Sequence, residues 1–157
     1  MRGINFLNKL RKNKKLQLVE PNENIREADI NKSMDSLTAS RVLLKSGLLA
    51  EAVASTYYSM YHMLTSLLFK TGIKCENHMG SVILMKEIFD LDNSDIILAK
   101  SERIDKQYYV GFKIIKEDTE KAIKNAEEFN GRLLDFISRL GQEQLTGYRT
   151  KFAKLIK

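Results

Sequence analysis

Apolar residues return along most of this chain every three or four positions, the interval that gives a helix one apolar face, and strand-like alternation is absent. The first such stretch predicts a helix from about Ala28 to Ser46, with Ile30, Met34, Leu37, Val42 and Leu44 recurring and Gly47 placed as a C-terminal cap. A second helix runs from about Leu48 to Lys70 and ends at Thr71-Gly72, with Leu49, Val53, Met60, Leu64 and Leu67 as its apolar stripe. Its opposite face, Glu51, Ser55, Ser59, His62 and Ser66, is mostly small and polar. A solvated face would carry longer charged side chains, so this one predicts the close approach of another helix. Asn77 is a suitable cap for a third helix that reaches Phe89, and Asn93 or Ser94 caps a fourth that ends near Val110-Gly111. Asp118 caps a long last helix with Ala122, Ala126, Phe129, Leu133, Phe136 and Leu140 inward and Gly141 as its stop. The pattern predicts an all-α fold, an antiparallel bundle of four to five helices.

Charge divides the chain into three parts. The 157 residues carry a net charge of +6. Residues 1–19 hold six Lys or Arg and no acid, including Lys9, Arg11, Lys12, Lys14 and Lys15, and residues 139–157 hold five basic residues and one acid. The body between them is slightly acidic. The expected organisation is a basic N-terminal arm and linker over residues 1–27, punctuated by the only proline, Pro21, a helical domain over 28–140, and a basic tail over 141–157. Such arms attract nucleic acid or an acidic partner, or serve as solvated ends. No apolar run approaches the roughly 20 residues that cross a bilayer, and no secretory signal is present. The single cysteine, Cys75, permits no internal disulfide and suits a reducing compartment. Together these predict a cytoplasmic protein with no membrane association.

Candidate chemistry gathers around two tyrosine doublets. In "STYYSMYH", Tyr57 and Tyr61 read as core residues with a polar tip, whereas Tyr58 and His62, four apart, project together beside Ser55 and Ser59. That set either forms a structural hydrogen-bonded patch or lines a groove between helices or subunits. His78 opens the third helix, where the positive end of the helix dipole disfavours its protonation. Two histidines sixteen residues apart, without further ligands at suitable spacing, predict no metal site, and no phosphate loop or nucleophile motif implies a cofactor. On the fourth helix, "AKSERIDKQYYVG" places Arg103 five residues before Tyr108. An Arg beside a proton acceptor in a cleft serves RNA cleavage, the base taking the 2′-OH proton and Arg stabilising the phosphorane charge. Arg103 also reads as an ion-pair partner of acids on another helix. A tyrosine pKa near ~10 makes Tyr108 a weak base at neutral pH.

The segments "LLKSGLLAEAVASTYYSMYHMLTSLLFKTGIKCENH", "SERIDKQYYVG" and "KNAEEFNGRLLDFI" resemble the HEPN superfamily (higher eukaryotes and prokaryotes nucleotide-binding), in particular a small stand-alone prokaryotic branch. The resemblance covers about 28–140, and "KLRKNKKLQLVEPNENI" is similar to the lead-in of that branch. It implies a helical bundle that pairs into a symmetric homodimer with the fourth helix near the dimer cleft. Many members are RNases that need no metal, often toxins, and carry Arg, four to six residues, then His on that helix. Stand-alone members frequently pair with a minimal nucleotidyltransferase that transfers AMP to a tyrosine near that His. Here Arg103 takes the Arg position, Tyr108 stands where the His would, and Val110 stands at the acceptor position with Tyr109 adjacent. Ser55 stands where relatives often have Arg. The resemblance therefore implies a non-catalytic or weakly active homodimeric partner of a minimal nucleotidyltransferase in a toxin-antitoxin-like system, with Tyr108 or Tyr109 as the modified residue. Two alternatives stand beside it. One is a metal-independent RNase using Arg103 with Tyr108, or with His62 or His78 from other helices, His62 being preferred for its polar groove. The other is a nucleotide or nucleic-acid binding module using the basic arms.

Overall fold

Apolar and small side chains ring the segment Leu49–Thr71 on nearly every side, and it folds as the central helix of the molecule. The structure, a computed structural model, describes residues 1–108 and 113–157, the side chains of 106–108 excepted. The described elements follow in the order α1 (Arg2–Lys12), β1 (Leu16–Leu18), α2 (Glu23–Lys45), α3 (Leu49–Thr71), β2 (Ile73–Cys75), α4 (His78–Glu87), α5 (Ser94–Tyr108), α6 (Lys116–Ser138) and α7 (Gln142–Leu155). The all-α class is as the periodicity predicts. The described helices number seven rather than four to five, because both terminal segments fold as helices.

Helix α3 packs against α2, α5 and α6, and its faces are filled by Val53, Tyr57, Met60, Leu64, Leu67 and Leu68, each at most 1% exposed. Two of its serines, Ser59 and Ser66, are buried and face no groove. Ser59 is fully buried, its hydroxyl donates to the Ser33 carbonyl at 2.7 Å, and the Ser33 hydroxyl donates to the Ser59 carbonyl at 2.7 Å. Asn130 on α6 adds a donor to Ser59 Oγ at 2.8 Å. Small side chains bonded to each other's backbone let two helices lie close, and the buried polar atoms find partners in doing so. The helix-to-helix approach expected from the serine face is therefore internal to the chain.

The inward face of α2 differs from the expected one. Asp29, Ser33 and Ser40 are buried with Leu37 beside them, while Met34 is 60% and Val42 58% exposed. Helical spacing is kept, and Ile30 and Leu37 of the expected stripe pack half-buried against the core, but the fully buried positions are small or polar ones. Helix α2 also starts earlier than Ala28, at Glu23, since Asn22 Oδ1 accepts the Ile25 amide at 3.0 Å. On α6 the expected stripe packs, with Ala122, Ala126, Phe129 and Leu133 buried, but the helix opens at Lys116 after Ile115 rather than being capped by Asp118.

Neither terminal segment is a loose arm. Leu7 and Leu10 of α1 and Phe152 of α7 are buried in the same core as α3. The chain after α1 forms a short antiparallel sheet that sequence alternation does not reveal, with Leu16 opposite Cys75 and Leu18 opposite Ile73. Three-residue strands are too short for a period of two to show. At the end of α3, Gly72 takes φ +76°, and Arg149 of α7 donates to the carbonyls of Val19, Thr71 and Gly72 at 2.8, 3.0 and 3.0 Å. A guanidinium there satisfies orphan carbonyls at the negative end of the helix and ties both termini to it. Removing the Phe152 ring should therefore destabilise the whole domain. Phe152→Ala is expected to cost about 3–5 kcal/mol in urea unfolding, with a single transition retained.

Candidate functional site

Asn77 fixes where α4 begins: its Oδ1 accepts the Gly80 amide at 2.8 Å, which makes His78 the first residue of the helix. The two helical turns of α3 that carry Tyr57, Tyr58, Tyr61 and His62 pass in front of that end. The Tyr57 hydroxyl and His78 Nδ1 are 3.0 Å apart, and the His78 ring stacks on Tyr61 with centroids 3.8 Å apart at 17°. Arg103 of α5 approaches from the other side. Its guanidinium carbon lies 5.3 Å from the Tyr57 ring centroid and 5.5 Å from that of Tyr58, and Nη1 donates to the Tyr58 hydroxyl at 3.3 Å. A guanidinium over aromatic faces is attracted by their quadrupoles, so the tyrosines hold Arg103 in place.

Of the residues singled out from sequence, Arg103 and Tyr58 come together with Tyr57 and His78. Ser59 and His62 face elsewhere. Ser59 is buried between α2 and α6 and lines no groove, and Ser55 is half-buried one turn before it. His62 turns toward α2, where Nδ1 lies 3.6 Å from Asp29 Oδ1, with the Tyr61 ring between it and His78. The imidazole on the Arg103 side is thus His78, not the preferred His62. Tyr109 and the Tyr108 side chain lie outside the described residues, so α5 is seen to carry Tyr108 only as its last residue. Sequence reasoning had no means of ranking His78, because its approach to Tyr57 depends on the return of the chain through β2. The Asn77 cap was legible; the direction in which it points His78 was not.

The electrostatics are consistent with this packing. Tyr57 is fully buried, and loss of hydration pushes its hydroxyl up to about 12, against the pull of Arg103. Burial likewise raises Tyr61. His78 is lowered from its ordinary 6.5, first by desolvation on its stacked face and then by the positive charges of Arg103 and Lys100. At neutral pH the imidazole is therefore uncharged. If Nδ1–H donates to the Tyr57 oxygen, Nε2 holds the free lone pair and can accept a proton. Cys75 is raised by burial and remains a thiol. Among the described residues no three His, Cys, Asp or Glu are arranged to hold a metal ion, and no helix is long and apolar enough to cross a membrane.

Comparison with known proteins gives two findings. Residues 26–136 match the HEPN domain. The chain is 30% identical over 122 residues, 71% of its length and 90% of the other's, to the protein named "Putative toxin MJ0605" of Methanocaldococcus jannaschii.

The depressed His78 has a direct readout. In an NMR titration its ring resonances should move at a midpoint below 6.5, and Arg103→Ala should raise that midpoint while leaving it below 6.5, because burial is the larger cause.

Proposed function

The chain belongs to the HEPN family, and from that premise we propose that it is a toxin-like member that cuts RNA at a site built on Arg103 and His78. The observation that carries this reading is the Tyr57–His78 contact at 3.0 Å, which holds a neutral imidazole beside the ring under Arg103. His78 Nε2 takes the proton of a ribose 2′-OH. The 2′ oxygen attacks the adjacent phosphorus, the bond from phosphorus to the 5′ oxygen breaks, and the proton returns from the imidazolium to that leaving oxygen. Arg103 neutralises charge on the non-bridging oxygens as the phosphorane forms. Tyr57 sets the tautomer and orientation of His78, and Tyr58 positions the guanidinium. The products are a 2′,3′-cyclic phosphate and a 5′-OH.

A second reading is favoured by the continuity of α5, which carries Arg103 and ends at Tyr108. A minimal nucleotidyltransferase partner that places AMP on Tyr108 or Tyr109 would put a competing phosphate close to Arg103. The same site would then be silenced, as a toxin-antitoxin pair requires, and a homodimer would present two such sites to the partner.

Mixed single-stranded RNA should be cleaved by the purified chain in the presence of chelator. Arg103→Ala should lower the rate about 10²–10³-fold and His78→Ala about 10²–10⁴-fold, the ranges for a lost charge stabiliser and a lost general base. His62→Ala should leave the rate within a few fold. Equal rates in the native chain and Arg103→Ala would dispose of the nuclease reading. For the second reading, incubation with ATP and a candidate nucleotidyltransferase should add one AMP by mass spectrometry, and Tyr108→Phe with Tyr109→Phe should abolish the gain.

A further inference from the structure

The basic segments at the two ends of the chain fold against each other. Arg11 donates to the Ile156 carbonyl and its guanidinium lies 5.6 Å from the Phe152 ring centroid, while the Lys157 amide donates to Asn8 Oδ1 at 2.9 Å. This brings Lys9, Lys12, Lys14 and Lys15 to the same end of the molecule as Lys154 and Lys157, and all six are exposed. None of the six is in an ion pair among the described residues, in contrast to Lys74 with Glu76 and Lys151 with Asp90, each at 2.8 Å. The one acid of residues 139–157, Glu143, lies in the first turn of α7, about 16 Å along the helix from Lys154 at 1.5 Å per residue.

This surface borders the segment that leads into the site described above. The Lys15 carbonyl accepts the Glu76 amide at 2.8 Å, and two residues after Glu76 comes His78. Helix α1 also rests on the start of α4: a Cβ on Gly80 would lie 2.5 Å from Leu10 Cδ1, so a larger residue there would displace the Leu10 side chain. One cross-strand hydrogen bond and two residues of chain thus separate Lys15 from His78, at most about 12 Å between their backbones. Beyond His78 lie Lys100 and Arg103, whose charges already act on it.

We propose that the exposed lysines of α1, the turn after it and α7 form a platform that tracks the phosphate backbone of an RNA strand and feeds it to His78 and Arg103. The proposal rests on the nuclease reading for the identity of the strand, but the platform has its own readout. Its chemistry favours a nucleic-acid backbone over an acidic protein. Leu7, Leu10, Phe152 and Ile156 are buried and the exposed large apolar residues of these segments are Met1 and Leu155, which leaves few of the anchors that make a protein interface. Lysines are mobile point charges that suit a repeating phosphate without reading sequence.

The test uses the full chain carrying Arg103→Ala, so that RNA stays intact, and a labelled mixed-sequence single-stranded RNA followed by fluorescence anisotropy. Affinity should fall steeply with salt. Adding Lys12→Glu, Lys14→Glu and Lys15→Glu should weaken binding at least tenfold at low salt. It should also flatten the log–log salt slope by about 2, three phosphates at roughly 0.7 each. Unchanged affinity and slope in the triple variant would overturn the platform, as would polyglutamate that binds as tightly as RNA. Cleavage of a dinucleotide by the native chain, a substrate too short to reach the lysines, tests the nuclease reading alone. The two readings can therefore fail separately.

Discussion

The close contact between α2 and α3 is the constraint from which the other positions follow. Two serines on different helices each donate a hydroxyl to the other's backbone carbonyl, and both side chains are fully buried. A larger residue at either place would push the helices apart, and an apolar one would leave a buried carbonyl or the Asn130 amide without its partner, at about 1–3 kcal/mol each. With α2 held this close on one side and α6 bonded through Asn130 on another, the rotation of α3 about its axis has no freedom left. That rotation decides which residues of the tyrosine-rich turns face outward. Tyr57 points toward α4 and α5, and Tyr58 lies beside it at the rim.

From that rotation comes a continuous line of rings and charges across the surface of α3. Asp29 faces His62, His62 lies beside Tyr61, Tyr61 stacks on His78, His78 meets the Tyr57 hydroxyl, and Arg103 covers Tyr57 and Tyr58. Helices α2 and α5 supply its ends, α4 supplies His78, and α3 supplies the remaining residues. Positioning therefore rests on a rigid, buried helix and not on a loop, which is the arrangement that keeps polar groups in a fixed relation to one another. The terminal helices belong to the same economy of support. Leu10 sits over Gly80 at the start of α4, and Arg149 closes the end of α3.

The bundle was legible because helical periodicity and end signals survive without tertiary context. Gly72 and Asn77 act as the sequence implies, and the stripe on α6 packs as read. Errors arose where packing outranked hydrophobicity. Met34 and Val42 looked like core and are exposed, while Ser33 and Ser40 of the same helix are buried. The terminal arms looked like solvated charge, and charge count concealed Leu7, Leu10 and Phe152 on their inner faces. Of the site, Arg103 and Tyr58 were legible as residues, but their contact is 45 positions apart in sequence. His78 was the main loss. Its place depends on a three-residue strand pairing with β1, a long-range event with no local signature.

The same positive charges that suit a phosphate also keep His78 neutral before one arrives. Burial of its stacked face and the fields of Arg103 and Lys100 all act in one direction, lowering its proton affinity. An anionic phosphodiester on Arg103 reverses the last two contributions, because a nearby negative charge favours the protonated imidazole. Free, the site holds an unprotonated ring; loaded, it holds a stronger base. On the nuclease reading the substrate thus completes the base that acts on it, and the proton affinity rises at the moment the 2′-OH must be deprotonated. Tyr57 cannot take over that role, since burial raises its hydroxyl to about 12 and keeps it a hydrogen-bonding partner at neutral pH. The division is between a buried tyrosine that orients and an exposed histidine that exchanges protons, and both properties come from where α3 places them.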